Sequence, residues 1–362
     1  MSVRFVHESQ PQRVCFGSGE AAETVPRELE RLGASKVMVI ASERDRGLAE
    51  RITASAPVVL RYHDVVMHVP AGAAERAREA AAGGGADVLV SIGGGSATGL
   101  AKAIALTSGV PIVAVPTTYA GSEATSVWGL TEAGRKTTGV DARVLPRVIV
   151  YDAALTVSLP VPVSVASGLN ALAHCIDAMW GPNADPIDWA LATEGIRALR
   201  AGLPAVFADP ANLDGREQAL YAAYLSATAF ASAGSGLHHK ICHVLGGAYN
   251  LPHAQTHAVV LPYVLAFNGP PAPEAERRIA AALGAERAVD GLEEFRRELQ
   301  APRALRDYGF AESDIPAAAE AIRPAVPPGN PRPVSSGDLR RLLRAAWEGA
   351  GPAAFQSDEE GQ

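Results

Sequence analysis

The sequence predicts two domains of different class: a parallel β-sheet flanked by helices over residues 1–158, then an all-helical domain over 159–355. Three observations carry this reading. Short β-rich runs alternate with alanine-rich helical stretches as far as Tyr151, the pattern of a parallel sheet with crossover helices. Strand signals then stop, and long Ala/Leu-rich stretches take over from about Ser158. Between the two regimes lies Leu159-Pro160-Val161-Pro162, where paired prolines disfavour continued helix or sheet. A length of 362 residues suits two domains.

Taken in order, Lys36–Ile40 reads as a strand and Ala71–Gly83 as a helix. Asp87–Ile92 is a strand that runs directly into Gly93-Gly94-Gly95-Ser96. A helix is expected over Thr98–Leu106 and a strand over Pro111–Val115. These runs are apolar without strict alternation, as strands covered on both faces should be. Two β-prone stretches flank Gly134, and Val148–Tyr151 reads as the last strand. The helical half is expected to hold Val163–Trp180, Ile187–Leu203, Arg216–Ala233, Ile279–Leu283 and Leu292–Leu299, with a rigid Pro-rich loop over Pro324–Val334. Residues 356–362 form an acidic tail that is expected to fray.

Composition narrows the function classes. Hydrophobic residues make up 48% and charged residues 20%, as in an ordinary globular protein. A net charge of −7 argues against a nucleic-acid partner, which needs a basic face. It leaves room for a small anionic substrate in a local basic pocket. Cys15, Cys175 and Cys242 are few and odd in number, without metal-type spacing, which fits a reducing cytoplasm. The N-terminus lacks a signal-type apolar core, and no apolar run reaches about 18 residues, so no membrane span is expected.

The glycine turn is the first chemical signal. Gly94, Gly95 and Ser96 stand between a strand and a helix. Glycines let the backbone approach a pyrophosphate, and the helix N-terminus offers free N–H donors. The sequence is not the usual G-x-G-x-x-G fingerprint, and a plain tight turn accounts for the four residues equally well. The next strand ends in Pro116-Thr117-Thr118-Tyr119-Ala120-Gly121-Ser122-Glu123. In open α/β sheets ligands sit beyond the carboxyl ends of strands, so Thr117, Thr118 and Ser122 point to the same crevice. Lys136 lies on the following β-prone stretch and is a further candidate, although a lone lysine there reads more simply as surface.

Histidines are the second signal. Six of the nine fall between His174 and His257. Asn170 and His174 are i, i+4 on one expected helix, and so are His239 and His243 on another. His253 and His257 follow Pro252 at the same spacing. Any single one is best explained as a satisfied core histidine. The set points to a metal site or a proton-transfer site, with Lys240 as an adjacent cation for an anion.

These segments together resemble the iron-containing alcohol dehydrogenase superfamily, with its dehydroquinate synthase-like fold. The resemblance rests on Gly93–Ser96, Pro116-Thr117-Thr118 with Gly121-Ser122-Glu123, and Gly236–His243. It continues through Leu245-Gly246-Gly247, Asn250-Leu251-Pro252-His253 and Val259–Pro262, and spans Phe5–Trp347. A finer match, to the maleylacetate reductase branch, lies in Thr118–Glu123, Val127–Glu132, Ser167–Ala171 and Asn330–Val334. It implies NADH- or NADPH-dependent reduction of maleylacetate to 3-oxoadipate in aromatic-compound breakdown, by a cytoplasmic homodimer. Metal-dependent members of the superfamily supply one aspartate and three histidines to iron or zinc. Here the matching positions are Asn170, His174, His239 and His253. An amide is a poorer ligand than a carboxylate, so the resemblance implies catalysis without a required metal, adventitious zinc apart. His243 or His253 is then the expected proton donor, and His239, Lys240, Tyr119 and Asn170 are expected to hold the substrate. Ser42 follows the first named strand, where an acidic residue would select NAD; with Arg44 and Glu43 beside it, both nicotinamide cofactors are expected to serve. The rival readings are a metal-dependent carbonyl reductase, a lyase of the dehydroquinate synthase type, and a relative redirected to another unsaturated keto acid.

Overall fold

The structure, a computed structural model, describes residues 4–132 and 135–352. It divides into two compact units. The α/β unit comprises Gln10–Leu159 with Ala211–Leu220; the helical unit takes the N-terminal residues up to Ser9, Pro160–Pro210 and the chain from Tyr221 on. The expected ranges 1–158 and 159–355 therefore need two corrections, because two short segments belong with the other half. Their side chains explain why. His7 bonds to Asp185 in the helical unit, and Arg216 and Glu217 bond to Tyr119 and Ser18 in the α/β unit. The expected tail 356–362 lies outside the described residues.

The α/β unit runs β1 (Arg13–Phe16), α1 (Ala21–Arg31), β2 (Val37–Ala41), α2 (Arg46–Ile52), β3 (Val58–Tyr62), α3 (Ala71–Gly84), β4 (Val88–Gly93), α4 (Gly95–Ser108), β5 (Ile112–Pro116), β6 (Val127–Glu132), β7 (Arg135–Val140) and β8 (Val148–Tyr151). Six strands form a parallel sheet in the order β1-β8-β5-β4-β2-β3, and β6 with β7 makes a separate antiparallel hairpin. The strands are apolar throughout because both faces are covered. In β2, Val37, Val39 and Ala41 join one core with Val25 and Leu29 of α1, whereas Met38 and Ile40 join the other with Ala77 of α3 and Ile104 of α4. Each such valine, leucine, isoleucine or methionine contributes about 1.5–3 kcal/mol on burial, and the alanines less. Chain direction across the sheet reverses between β2 and β4, which is where an open α/β sheet opens its ligand crevice.

The helical unit holds α5 (Val161–Ala178), α6 (Pro186–Ala208), most of α7 (Leu213–Ala233), α8 (Leu237–Tyr249), α9 (His253–Asn268), α10 (Pro273–Leu283), α11 (Ala288–Glu298), α12 (Ile315–Ile322) and α13 (Ser336–Glu348). Helix α5 is the hub. Every residue from Ser164 to Ala178 is buried, which an apolar, small-residue sequence permits on all sides. Asn330 has an architectural role here: its amide and that of Asn268 exchange two hydrogen bonds of 2.9 Å. No described helix is long and apolar enough to cross a membrane.

Candidate active site

In the helical unit, Asn170, His174 and Asp177 occupy positions i, i+4 and i+7 of α5 and so share one face. Helix α8 meets that face through its N-terminus. A Cβ on Gly236 would stand 2.2 Å from Asp177 Oδ1, so only glycine admits this approach. The Asp177 carboxylate accepts from the His239 backbone N–H at 3.2 Å and bonds His239 Nδ1 at 2.8 Å. Burial raises its pKa to about 6, against the pull of the backbone N–H groups.

The pairing fixes the tautomer of His239. Its Nδ1–H donates to Asp177, so Nε2 carries a lone pair, and that buried atom has no hydrogen-bond partner among the described residues. The buried Asn170 Oδ1 and His174 Nδ1 are likewise unpartnered. The imidazoles form a continuous array. His174 stacks on His239 with centroids 4.8 Å apart, His257 lies 4.8 Å from His239, and His253 lies 4.3 Å from His257. Phe230 closes the array at 4.2 Å from His239. Burial pushes His174 down to about 4 and His238 to about 3, and holds His239 and His257 well below the usual range. The inner rings are therefore neutral at pH 7. His243 and His253 are half-buried, as is Lys240.

The buried histidine nitrogens form a candidate donor set for a divalent cation. Nitrogens of His238, His239 and His257 lie within 4.8 Å of one another. A histidine backed by a carboxylate, as His239 is by Asp177, is the usual form of a metal-binding imidazole. These histidines suit a borderline ion such as zinc. Asn170 adds no charge, and Asp177 is turned to Nδ1 of His239, so none of these donors offsets the ion's charge. Sequence reasoning missed Asp177, whose i+7 spacing from Asn170 was a usable signal. It also left the buried His238–His257 pair, 2.9 Å apart, without a role.

In the α/β unit, Gly94 is the N-cap of α4 and Gly95 its first residue. A Cβ on Gly94 would lie 3.0 Å from Thr118 Cγ2, so the expected pairing of these two loops is real. Thr117 N donates to Gly93 O at 3.0 Å. Ser96, Thr117, Thr118 and Ser122 are all half-buried. Ser42 Oγ donates to Asp45 Oδ2 at 2.6 Å, and that oxygen lies 3.5 Å from where Gly93 would carry a Cβ. An acidic group thus stands at the reversal between β2 and β4, three residues past the position sequence pointed to. Tyr119 is fully buried and its hydroxyl accepts from Arg216 Nη1 at 3.1 Å. Lys136 pairs with Thr131 in the hairpin; its side chain lies outside the described residues.

One further residue holds the Thr118 loop. The buried Lys102 ammonium donates to the carbonyls of Ser122 (2.6 Å), Thr125 (2.8 Å) and Val127 (2.7 Å). Burial lowers its pKa to about 7. The neighbouring Glu123, raised by burial, accepts from Tyr151 OH at 2.7 Å.

Comparison with known proteins agrees with this arrangement. The family model for iron-containing alcohol dehydrogenases matches residues 11–153, and that for the C-terminal part of the Fe-containing alcohol dehydrogenase family matches 164–347. Maleylacetate reductase 2 of Cupriavidus pinatubonensis is 47% identical over 96% of this chain and 98% of its own. The crystal structure of an iron-containing alcohol dehydrogenase from Corynebacterium glutamicum is 58% identical, with a TM-score of 0.96 over 98% of this chain and 100% of its own. That of maleylacetate reductase from Rhizobium sp. strain MTP-10005 is 44% identical, with a TM-score of 0.91 over 96% and 99%. With both of its halves matched and its fold reproduced, the chain belongs to the iron-containing alcohol dehydrogenase family.

Proposed function

We propose that the protein is a nicotinamide-dependent reductase of maleylacetate, converting it to 3-oxoadipate. The observation that carries this reading is the neutral, Asp177-oriented histidine array with Asn170 beside it, taken with the relatives named maleylacetate reductase. Hydride goes to the alkene carbon distal to the ketone. The electron pair moves to the ketone oxygen as an enolate, and a proton returns to the carbon next to the ketone. The developing oxyanion needs aimed donors. His239 presents a lone pair and so accepts rather than donates, and His174 is neutral. The proton donor is therefore assigned to His243 or His253, the half-buried pair at the open end of the array. Lys240 and Asn170 are assigned to the substrate's carboxylates and ketone; Tyr119, fully buried and bonded to Arg216, is assigned to holding that arginine instead. Replacing both His243 and His253 by alanine is expected to lower kcat by about 100-fold or more; turnover near wild type would exclude both.

For the cofactor, Gly94, Gly95 and Ser96 are assigned to the pyrophosphate, with Thr117, Thr118, Ser122 and Lys136 around it. The Asp45 carboxylate beside Ser42 supports a preference for NADH, because it accepts from ribose hydroxyls and repels a 2′-phosphate. Both cofactors are still expected to serve, with NADH the better of the two. Asp45→Ala should cut the NADH/NADPH ratio of kcat/KM by about tenfold or more, on the order of 1.4 kcal/mol.

Catalysis is proposed not to require a metal, on the strength of Asn170 and the uncompensated donor set. A second reading is favoured by the Asp177–His239 pair, which also suits a metal-dependent carbonyl reductase. One assay separates them: NADH oxidation by EDTA-treated protein on freshly prepared maleylacetate, with 3-oxoadipate identified as product. Rapid turnover supports the first reading. Turnover of simple aldehydes that appears only with added zinc or iron supports the second. The resemblance also implies a homodimer, for which light scattering should give twice the 37.5 kDa of one chain.

A further inference from the structure

Away from the histidine array, the helical unit contains a second cluster of ligand-type side chains. Asp185 and Asp188 form a capping box at the start of α6. Each uses one oxygen for the cap: Asp185 Oδ1 accepts from the N–H groups of Ile187 and Asp188, and Asp188 Oδ2 accepts from that of Asp185. The other oxygens turn to the N-terminal segment. Asp185 Oδ2 lies 2.8 Å from His7 Nδ1, and Asp188 Oδ1 lies 3.8 Å from the same nitrogen. Ser232 Oγ of α7 approaches it at 3.3 Å. Both carboxylates are at least nine-tenths buried, and Asp188 Oδ1 has no hydrogen-bond partner among the described residues.

We propose that His7, Asp185 and Asp188 form a structural site for a borderline divalent cation, of the zinc class, that fastens the N-terminal segment to α6. A proton on His7 does not complete this cluster. Nδ1 carries a single hydrogen, already directed at Asp185, and leaves the buried Asp188 carboxylate to one cap N–H and the Ser232 hydroxyl, a thin compensation for a buried charge. A cation serves all three atoms at once. The observed separations of 2.8 and 3.8 Å bracket the edge of roughly 3.3 Å expected for tetrahedral zinc with bonds of about 2.0 Å. Two carboxylates neutralise the ion, which the histidine array beside Asn170 does not do. The mixed nitrogen and oxygen donors favour zinc over magnesium or calcium. Any metal found in the purified protein is thereby assigned first to a site that does no chemistry.

The test titrates zinc into the EDTA-stripped full chain, with bound metal counted by mass spectrometry and unfolding followed by temperature. The wild type and His239→Ala should each keep one tight equivalent that raises the unfolding temperature. His7→Ala, which leaves the capping box intact, should bind that equivalent at least tenfold more weakly, lose the thermal shift and keep its maleylacetate turnover. Asp188→Asn should weaken it likewise. Equal zinc affinity in His7→Ala and wild type, or loss of the tight equivalent in His239→Ala, would overturn the site. Turnover is scored separately, so failure here does not bear on the reductase reading.

Discussion

Asp177 is held ionised in a buried place to set the tautomer of one histidine. A rise from 3.8 to about 6 corresponds to on the order of 3 kcal/mol of stability forgone at neutral pH. The sign follows from the direction of the shift. A carboxyl raised in the folded state contributes stability that is fully present below its unfolded value near 3.8 and is lost as pH rises through about 6. Relative to an Asp177→Asn variant, the wild type should therefore gain stability as pH falls from 7 to 4, and parallel denaturant titrations of the two would show it. The same substitution acts on catalysis in the opposite sense. An amide in place of the carboxylate is a weaker acceptor and can also donate to His239 Nδ1, so the tautomer and orientation of the ring are no longer fixed. We expect kcat/KM to fall by about 10–100-fold, the usual weight of a residue that orients an imidazole. A variant that kept full activity with an unchanged pH profile would remove the orienting role.

At the level of elements, what was legible from sequence was local and what was missed was not. Helix α5 and strands β2, β4 and β5 announce themselves by length, composition and flanking turns. The glycine turn was placed correctly because a strand runs straight into it and a helix leaves it. Strand β1 has only four residues and owes its existence to pairing with β8, more than 130 residues away, so no local pattern marks it. The i, i+4 spacing of the histidines was visible, but the Asp177–His239 bond spans 62 residues and became plain only when α5 and α8 met. Lys102 was hidden for another reason. A lysine in an alanine-rich helix reads as surface, yet this one is buried and binds two carbonyls of the loop after β5 and the first carbonyl of β6. That loop carries Ser122, so Lys102→Met should loosen the cofactor site rather than the chemistry. We expect KM for NADH to rise about tenfold, near the 1.5 kcal/mol of one charged hydrogen bond, with kcat changed less than about twofold. A fall in kcat at constant KM would instead place Lys102 in the chemical step.

For the molecule as a whole, the exchange of short segments between the two units sets how it can be cut. A break at Leu159–Pro160 looks natural from sequence, since fold class changes there. It nevertheless strands Ala211–Leu220, which belongs with the α/β unit. In that segment Arg216 is fully buried and donates to the Tyr119 hydroxyl and the Leu159 carbonyl, and Glu217 accepts from Ser18. A fragment ending at Leu159 leaves those acceptors uncovered and opens the space the guanidinium filled. Each buried polar group left unmatched costs about 1–3 kcal/mol, against a total stability of about 5–15 kcal/mol for a domain. Two or three such losses consume much of the margin. The fragment 1–159 should therefore show a broad, early thermal transition by circular dichroism. Supplying 205–225 as a linked segment should restore a cooperative one, and the same segment carrying Arg216→Ala should restore less. A fragment 1–159 that unfolds as sharply and as late as the intact chain would show that the exchanged segment is not needed for its stability.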